Sequence, residues 1–374
     1  MKFIKIYIME KKDILRIIKE LSSKRAPSGL EKERGKIFKK EIENLFKKNN
    51  LSVGKDELGN YFIKLKGTSP KQKIAILAHM DEIGGTIRKI KKNGKMEFSK
   101  RGGYEGRWLV SKKVQILNSN DDWINGIICG RSAHSTPEKL RISEKIDPLE
   151  LEIYCGAKDA EETRDKYKIH VGSPLVFHGN LGLLNPKYND NIIAGYSIDN
   201  LAALTCLILL TRKLINELMN DYGELKIKSD IYIVATTREE IGTEGAYYFL
   251  KNNPVDKVIG IDIGIVEDVA NTINSDLKLD GGPVIVWQEG RGSGIFDYNF
   301  CKTLVLTAVK NNIKYQNGVF EYYRSDAGKA QKWLGTSSIL IGIPTKFSHN
   351  VPEISTIDAI RDTTELIFQY LKNV

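Results

Sequence analysis

Five places along this chain combine histidines and carboxylates in a way that can do chemistry. Thr237-Arg238-Glu239-Glu240-Ile241-Gly242 sets two adjacent glutamates just after Ile231-Tyr232-Ile233-Val234-Ala235. That apolar, β-branched run reads as a buried strand of a parallel sheet. Carboxylates where such a strand stops lie at the rim where open α/β sheets collect their ligands. Adjacent acids also repel each other, so a fold that keeps both requires a cation or a proton to relieve them. The natural division of labour is one Glu on a metal and its neighbour free to move a proton.

Three other apolar runs deliver residues of the same kind. Lys73-Ile74-Ala75-Ile76-Leu77-Ala78 leads into His79-Met80-Asp81-Glu82, Val258-Ile259-Gly260-Ile261 ends at Asp262, and Ser338-Ile339-Leu340-Ile341-Gly342-Ile343 leads through Pro344-Thr345 to His349. A fifth candidate, Asp199, opens an apolar helix expected from Leu201 to Ile215. Only five histidines occur in the chain, and two of them lie at these strand ends. Two His, two Asp and one or two Glu suit a pair of divalent cations. Each residue has an ordinary explanation too: Asp199 as a helix N-cap, Asp262 as a turn residue beside Gly264, each histidine as a hydrogen-bonded core residue. Those explanations are independent of one another, whereas a metal site accounts for all five positions at once.

The order His-x-Asp, Asp-Asn, Glu-Glu, Asp, His resembles the dinuclear metallopeptidases, and more narrowly the glutamyl, deblocking and tetrahedral aminopeptidase family. Ala78-His79-Met80-Asp81-Glu82-Ile83-Gly84 is similar to that family's first motif, Thr236 to Ala246 to its Glu-Glu motif, and Ile343 to His349 to its final histidine segment. Ala26-Pro27-Ser28-Gly29-Leu30-Glu31, Gly282-Pro283-Val284-Ile285 and Ser325-Asp326-Ala327 resemble further landmarks, so the likeness runs from about residue 11 to the C-terminus. The resemblance implies a metal-dependent aminopeptidase acting on peptides. In it Asp199 bridges two divalent metals, His79 and Asp262 complete one, and Glu240 and His349 the other. It also implies that Asp81 fixes the imidazole of His79 and that Glu239 is the general base for a water bridging the metals. Zinc is the expected metal, with cobalt or manganese as alternatives.

Two departures from the family pattern stand out. Leu201 occupies a position where relatives usually carry Arg, and Asn350 follows the last histidine where Ser is usual. Neither removes a ligand. The same metal chemistry would serve a deacylase or a carboxypeptidase, and Leu201 is the one feature that fits an inactive partner subunit of an oligomeric peptidase. The group that anchors a free amine is not fixed by sequence; Glu353 and Glu289 are candidates.

The elements that must position these residues form an α/β fold, a mixed open sheet with helices on both faces and a small inserted β-rich domain. Residues 1–82 and 181–374 make the discontinuous catalytic part. Residues 83–180 make the insert, where Asn93-Gly94 signals a hairpin and Leu149-Glu150-Leu151-Glu152-Ile153 alternates as a strand. By resemblance the insert mediates assembly into a homo-oligomer. His134, His170 and His178 fall inside it and read as structural or surface residues. Helices are expected at Lys12–Ser22, Glu31–Lys48, Leu201–Met219, Glu244–Lys251, Tyr298–Asn311 and Ile357–Lys372, with a helical stretch over Asp159–Tyr167 and loops at Arg101–Gly106 and Gln288–Gly294. Gly290-Arg291-Gly292-Ser293-Gly294 lacks the lysine of a nucleotide-binding loop.

Composition restricts the function classes without choosing among them. The 374 residues, 41% of them hydrophobic, allow a sizeable core. No apolar run reaches membrane-spanning length, and Met1 to Ile8 is too short and interrupted for a signal peptide, with Met9 an alternative start. A net charge of +10 is spread over helices and hairpins rather than gathered into a stripe, which argues against a nucleic-acid partner. Cys129, Cys155, Cys206 and Cys301 lack any Cys-x-x-Cys spacing and read as reduced thiols of a cytoplasmic protein.

Overall fold

The structure, a computed structural model, describes residues 9–44, 51–69, 72–130, 134, 146–266, 276–292, 294–350 and 352–374. Expectations for Met1 to Ile8, the end of the helix through Lys48, Pro137 and Ser293 lie outside these residues.

The strand alternation builds two cores from one sheet. In the strand Lys73–His79, Ile74, Ile76 and Ala78 enter one core and Ala75 and Leu77 the other. In Asp230–Thr236, Ile231, Ile233 and Ala235 oppose Tyr232 and Val234 in the same way. Both faces bury side chains, so helices cover both. Lys11–Ser22, Lys32–Glu43, Ile198–Lys213, Tyr298–Lys310 and Ile357–Leu371 pack on the first face, Glu244–Asn252 and Asp326–Leu334 on the second. Residues 201–211 are buried without exception, because their helix runs between the sheet and outer helices and has no solvent side.

Four parallel strands form the centre of the sheet, in the order Asp230–Thr236, Lys73–His79, Lys257–Ile265 and Ser337–Thr345. Tyr61–Leu65 joins one edge of this group antiparallel and Val284–Glu289 the other. The sheet is therefore mixed. Strands Gly182–Asn185, Asn189–Gly195 and Glu353–Thr356 make a small separate sheet.

Between His79 and Asp199 the chain closes a six-stranded barrel from Gly84–Ile90, Met96–Arg101, Lys113–Leu117, Trp123–Ile128, Glu152–Tyr154 and Pro174–Phe177. It has its own core, including Ile87, Phe98, Val114, Ile116, Ile153 and Leu175, and closure leaves no free edge strand. At the hairpin signal, Gly94 takes a φ of 75° with the carbonyl of Ala157 close behind it, a place a side chain would not fit.

Several element boundaries differ from expectation. The helix expected over Leu201–Met219 keeps α geometry to Lys213 and widens into a π turn over Leu214–Leu218. The helical stretch at Asp159–Tyr167 contracts to Ala160–Asp165, with Asp159 as its N-cap. Glu289 ends a strand rather than lying in a loop. The helix Asp326–Leu334 was not expected, although Ser325 caps its start and Gly335 at φ 65° ends it. Among the described residues no helix is long and apolar enough to cross a membrane.

Arg34 ties the first helices to the sheet. Fully buried, it donates to the carbonyls of Met80 and Lys24 and pairs with Glu82 at 3.0 Å. Arg34→Met is expected to lower unfolding stability by about 3–5 kcal/mol, since it leaves a buried carboxylate without its cation. Denaturant titration measures this, and adding Glu82→Gln to the same chain should recover part of the loss.

Candidate metal centre

The register of two parallel strands starts the site. Thr236 lies beside His79, so the residues that follow each strand emerge together at one rim of the sheet. Asp81 then fixes the glutamate pair: its Oδ1 accepts the Glu239 amide at 3.0 Å, its Oδ2 the Glu240 amide at 3.1 Å and the Ser28 hydroxyl at 2.7 Å. The Asp81 carboxylate is also 3.5 Å from His79 Nδ1, and the Asp81 backbone carbonyl sits 3.1 Å from the same nitrogen. Both Asp81 groups face the imidazole, and the carboxylate holds the Glu239-Glu240 turn as well. Burial raises the Asp81 carboxyl, but His79 and Ser28 outweigh it and hold the group below its ordinary value.

Asp199 lies at the middle of the assembly. It is no helix N-cap: regular helical dihedrals begin beyond Asn200, and the Asp199 amide donates to Glu353 at 3.0 Å. One carboxylate oxygen is 3.1 Å from His79 Nε2 and the other 3.3 Å from His349 Nε2. Ser348 Oγ donates to the second oxygen at 3.2 Å. Asp262 is no turn residue either, because its strand continues to Ile265 and carries the carboxylate to 3.8 Å from His79 Nε2. Glu240 lies 3.4 Å from His349 Nε2, and Glu239 3.9 Å from His79 Nε2. His79, Asp199 and Asp262 can each offer one ligand atom within 4.8 Å of the others, and so can Asp199, Glu240 and His349. Asp199 belongs to both groups.

The two imidazoles show why a cation fits. Each Nδ1 faces a backbone carbonyl, that of Asp81 for His79 and that of Gly103 for His349. A carbonyl only accepts, so Nδ1 carries the hydrogen and each Nε2 lone pair is turned toward Asp199. Lone pairs facing carboxylate oxygens require a positive centre between them. In the metal-free protein protons serve: burial lowers both histidines, yet the carboxylates around them raise both well above the ordinary imidazole value. Burial raises Asp199 as well, but hydrogen bonds from His349 and His79 hold it low.

More acids surround the centre than these histidines can neutralise. Burial, the neighbouring carboxylates and the limited reach of His79 leave Glu239 well above its ordinary value; burial likewise raises Glu240 and Asp262. Glu353, raised by burial and Asp199, accepts from the amides of Asp199 and His349. Glu289 accepts from the Ser325 amide and hydroxyl and is pushed up by burial to about 8. Asp326 accepts from the Thr236 hydroxyl, and burial pushes it up to about 7. The two candidates for an amine anchor thus already accept hydrogen bonds, Glu353 from two amides and Glu289 from Ser325. Divalent cations are what such a set of buried acids and paired imidazoles can hold.

Sequence reasoning missed the Gly103 carbonyl, Ser28, Ser348 and Asp326 as members of the site. Leu201 packs fully buried in the apolar core, and all five ligand positions assemble without a charge there. His178 accepts from Arg25 at 2.9 Å, and His170 is exposed, both away from the centre. A cavity of about 580 Å³ opens over His79, Asp199, Glu239, Glu240, Asp262 and His349. A larger one of about 1030 Å³ adjoins Glu239, Glu240 and His349.

Residues 59–366 match the family model described as M42 glutamyl aminopeptidase. The chain belongs to the M42 family. It is a peptide hydrolase of that family, as the relatives named aminopeptidases also indicate. An Acetivibrio thermocellus protein provisionally named an aminopeptidase is 27% identical over 362 residues, covering 96% of this chain and 99% of its own. A lysyl aminopeptidase of Pyrococcus furiosus is 28% identical over 213 residues, 56% of this chain and 55% of its own. Among solved structures, aminopeptidase APDkam598 of the archaeon Desulfurococcus kamchatkensis matches at a TM-score of 0.86 and 26% identity, over 97% of this chain and 96% of that one. The TET1 peptidase of Pyrococcus horikoshii, which can assemble into a tetrahedron or a large octahedral shell, shares the fold at a TM-score of 0.81 and 24% identity, covering 96% and 99%. The mixed sheet with helices on both faces and the small β-rich unit expected from the sequence are therefore observed, the latter as a barrel.

Proposed function

We propose that this M42 protein is a dinuclear metal-dependent aminopeptidase that removes N-terminal residues from peptides. The observation that carries the reading is the pair of Nε2 lone pairs converging on the two oxygens of Asp199. His79 and Asp262 would hold one divalent cation, Glu240 and His349 the other, with Asp199 shared. Zinc suits this His and carboxylate set, and cobalt and manganese suit it too. Bound there, the cations supply Lewis acidity for the scissile carbonyl and acidify the attacking water.

The chain's own residues do the rest. Glu239 is outside both ligand groups, and Asp81 pins its backbone so that the side chain faces the cavity. It takes the proton from the attacking water and delivers it to the departing amine. Burial of the His79, Asp199 and Glu240 side chains strengthens the charge interactions among them.

The reading extends to organisation. Residues 1–82 and 181–374 are the catalytic part, and the barrel within 83–180 is an inserted domain through which the chain forms a homo-oligomer. Support comes from the barrel's separate core and from a fold neighbour that assembles into closed shells. Scattered free cysteines fit a cytoplasmic setting.

The test uses purified protein, stripped with chelator and reloaded with zinc, cobalt or manganese, on free-amine, blocked-amine and acylated amides. Metal-dependent cleavage confined to free-amine substrates is expected. Cleavage of the acylated or blocked compounds instead would point to a deacylase or carboxypeptidase. Reloading should also raise thermal stability, by about 2.7 kcal/mol when free metal reaches 100 times its dissociation constant. No thermal shift with any of the three metals would remove the metal site from the reading.

A further inference from the structure

The larger cavity carries a charge pattern that the proposed chemistry does not use. Its wall includes Arg291, Arg324, Lys329 and Lys332 together with Tyr322 and Trp333. Among the described residues none of these four cations is paired with a carboxylate. Arg291 lies 4.5 Å from the Tyr322 ring, Lys329 5.2 Å and Lys332 5.8 Å from the Trp333 ring, and Lys329 also donates to the Gly242 carbonyl at 3.4 Å. Tyr322 and Trp333 are themselves exposed, at 76% and 62%. On the same wall Glu321 is the one acid left to oppose them, because Glu289 is engaged with Ser325 and Glu239 and Glu240 face the metal centre.

The cations also have a direction. Arg324 lines both the metal-centre cavity and the larger one, whereas Lys329 and Lys332 line only the larger. They sit on the helix Asp326–Leu334, whose first residue accepts from Thr236 at the rim beside His79. At 1.5 Å per residue, Lys329 and Lys332 lie roughly 4.5 and 9 Å along from Asp326. An extended peptide covers about 3.3–3.6 Å per residue. A substrate whose N-terminal bond sits at the metals would therefore bring a group about one to three residues further on past Lys329 and Lys332.

We propose that the wall formed by Arg324, Lys329 and Lys332 binds a substrate carboxylate about one to three residues beyond the cleaved bond, so that the enzyme prefers peptides carrying one there. The carboxylate is either the C-terminus of a short peptide or an acidic side chain. This rests on the aminopeptidase reading, which fixes the peptide's N-terminus at the metals. Arginine and lysine heads are the chemistry that recognises a carboxylate, and their partly exposed position makes the attraction sensitive to salt.

The experiment measures kcat/KM of the metal-loaded enzyme on Leu-Ala-Ala-Ala as free acid and as C-terminal amide, and on the amides Leu-Ala-Glu-Ala and Leu-Ala-Gln-Ala. We expect a preference of roughly tenfold for the charged member of at least one pair, expressed in KM, the sum of two or three exposed ion pairs. The acid-against-amide pair identifies a C-terminal carboxylate, and the Glu-against-Gln pair a side chain. In Lys329→Gln/Lys332→Gln, and in wild type at high salt, that ratio should fall to within about twofold. Equal rates on charged and neutral members in wild type would overturn the proposal, as would a ratio that the double variant leaves intact. Failure to cleave any of the four peptides would instead remove the aminopeptidase reading, and the carboxylate site with it.

Discussion

Glu239→Gln is expected to lower kcat by about 10²–10⁴-fold while KM and metal content stay near wild type. Gln keeps the length of the side chain and the backbone bond to Asp81, so the turn that presents Glu240 to His349 is undisturbed. It cannot accept a proton, and the water and the departing amine then lose their relay. Steady-state kinetics with metal analysis on the same preparation decides the point. Retained activity would show that another group moves the proton; lost metal would show that Glu239 is a ligand rather than a base. The neighbouring Glu240→Gln should behave in the opposite sense, with metal lost first and activity following.

Asp199→Ala should have the largest effect on metal content, because both candidate ligand groups share this residue. Without it, His79 with Asp262 and His349 with Glu240 each retain only two side chains, and the Nε2 lone pairs face no carboxylate between them. Metal per chain should fall below half the wild-type value, and the thermal shift on adding zinc should vanish. Activity should fall at least as far as in Glu239→Gln. Asp262→Ala offers the contrast: it leaves the Asp199, Glu240 and His349 group intact, so about half the metal should remain. Equal loss from the two variants would mean that the two groups do not act as separate sites.

Much of this centre was legible from strand ends. His79, Glu239, Glu240 and His349 each follow an apolar run, and parallel strands of matched register bring such ends to one rim. The unbroken apolar runs before these residues likewise pointed to buried strands of a parallel sheet. What stayed hidden depends on contacts between distant parts of the chain. Nothing near Gly103 or Ser28 in sequence marks a carbonyl for His349 or a hydroxyl for Asp81, since those bonds span 246 and 53 residues. Asp262 looked like a strand end because Gly264 follows it. In the fold, Gly264 and Gly342 instead let two strands approach closely and continue past the ligand. The helix Asp326–Leu334 was missed although both of its ends are marked; at nine residues, with Gly328 inside, its periodicity is too short to stand out.

The Gly103 carbonyl has a consequence beyond the orientation of one ring. Gly103 follows the barrel strand that ends at Arg101, and His349 follows a strand of the central sheet, so one hydrogen bond joins two separately packed bodies across the metal centre. If a cation binds at His349, thermodynamic reciprocity would make its occupancy and the seating of the barrel parts of one linked equilibrium, each favouring the other by the same factor.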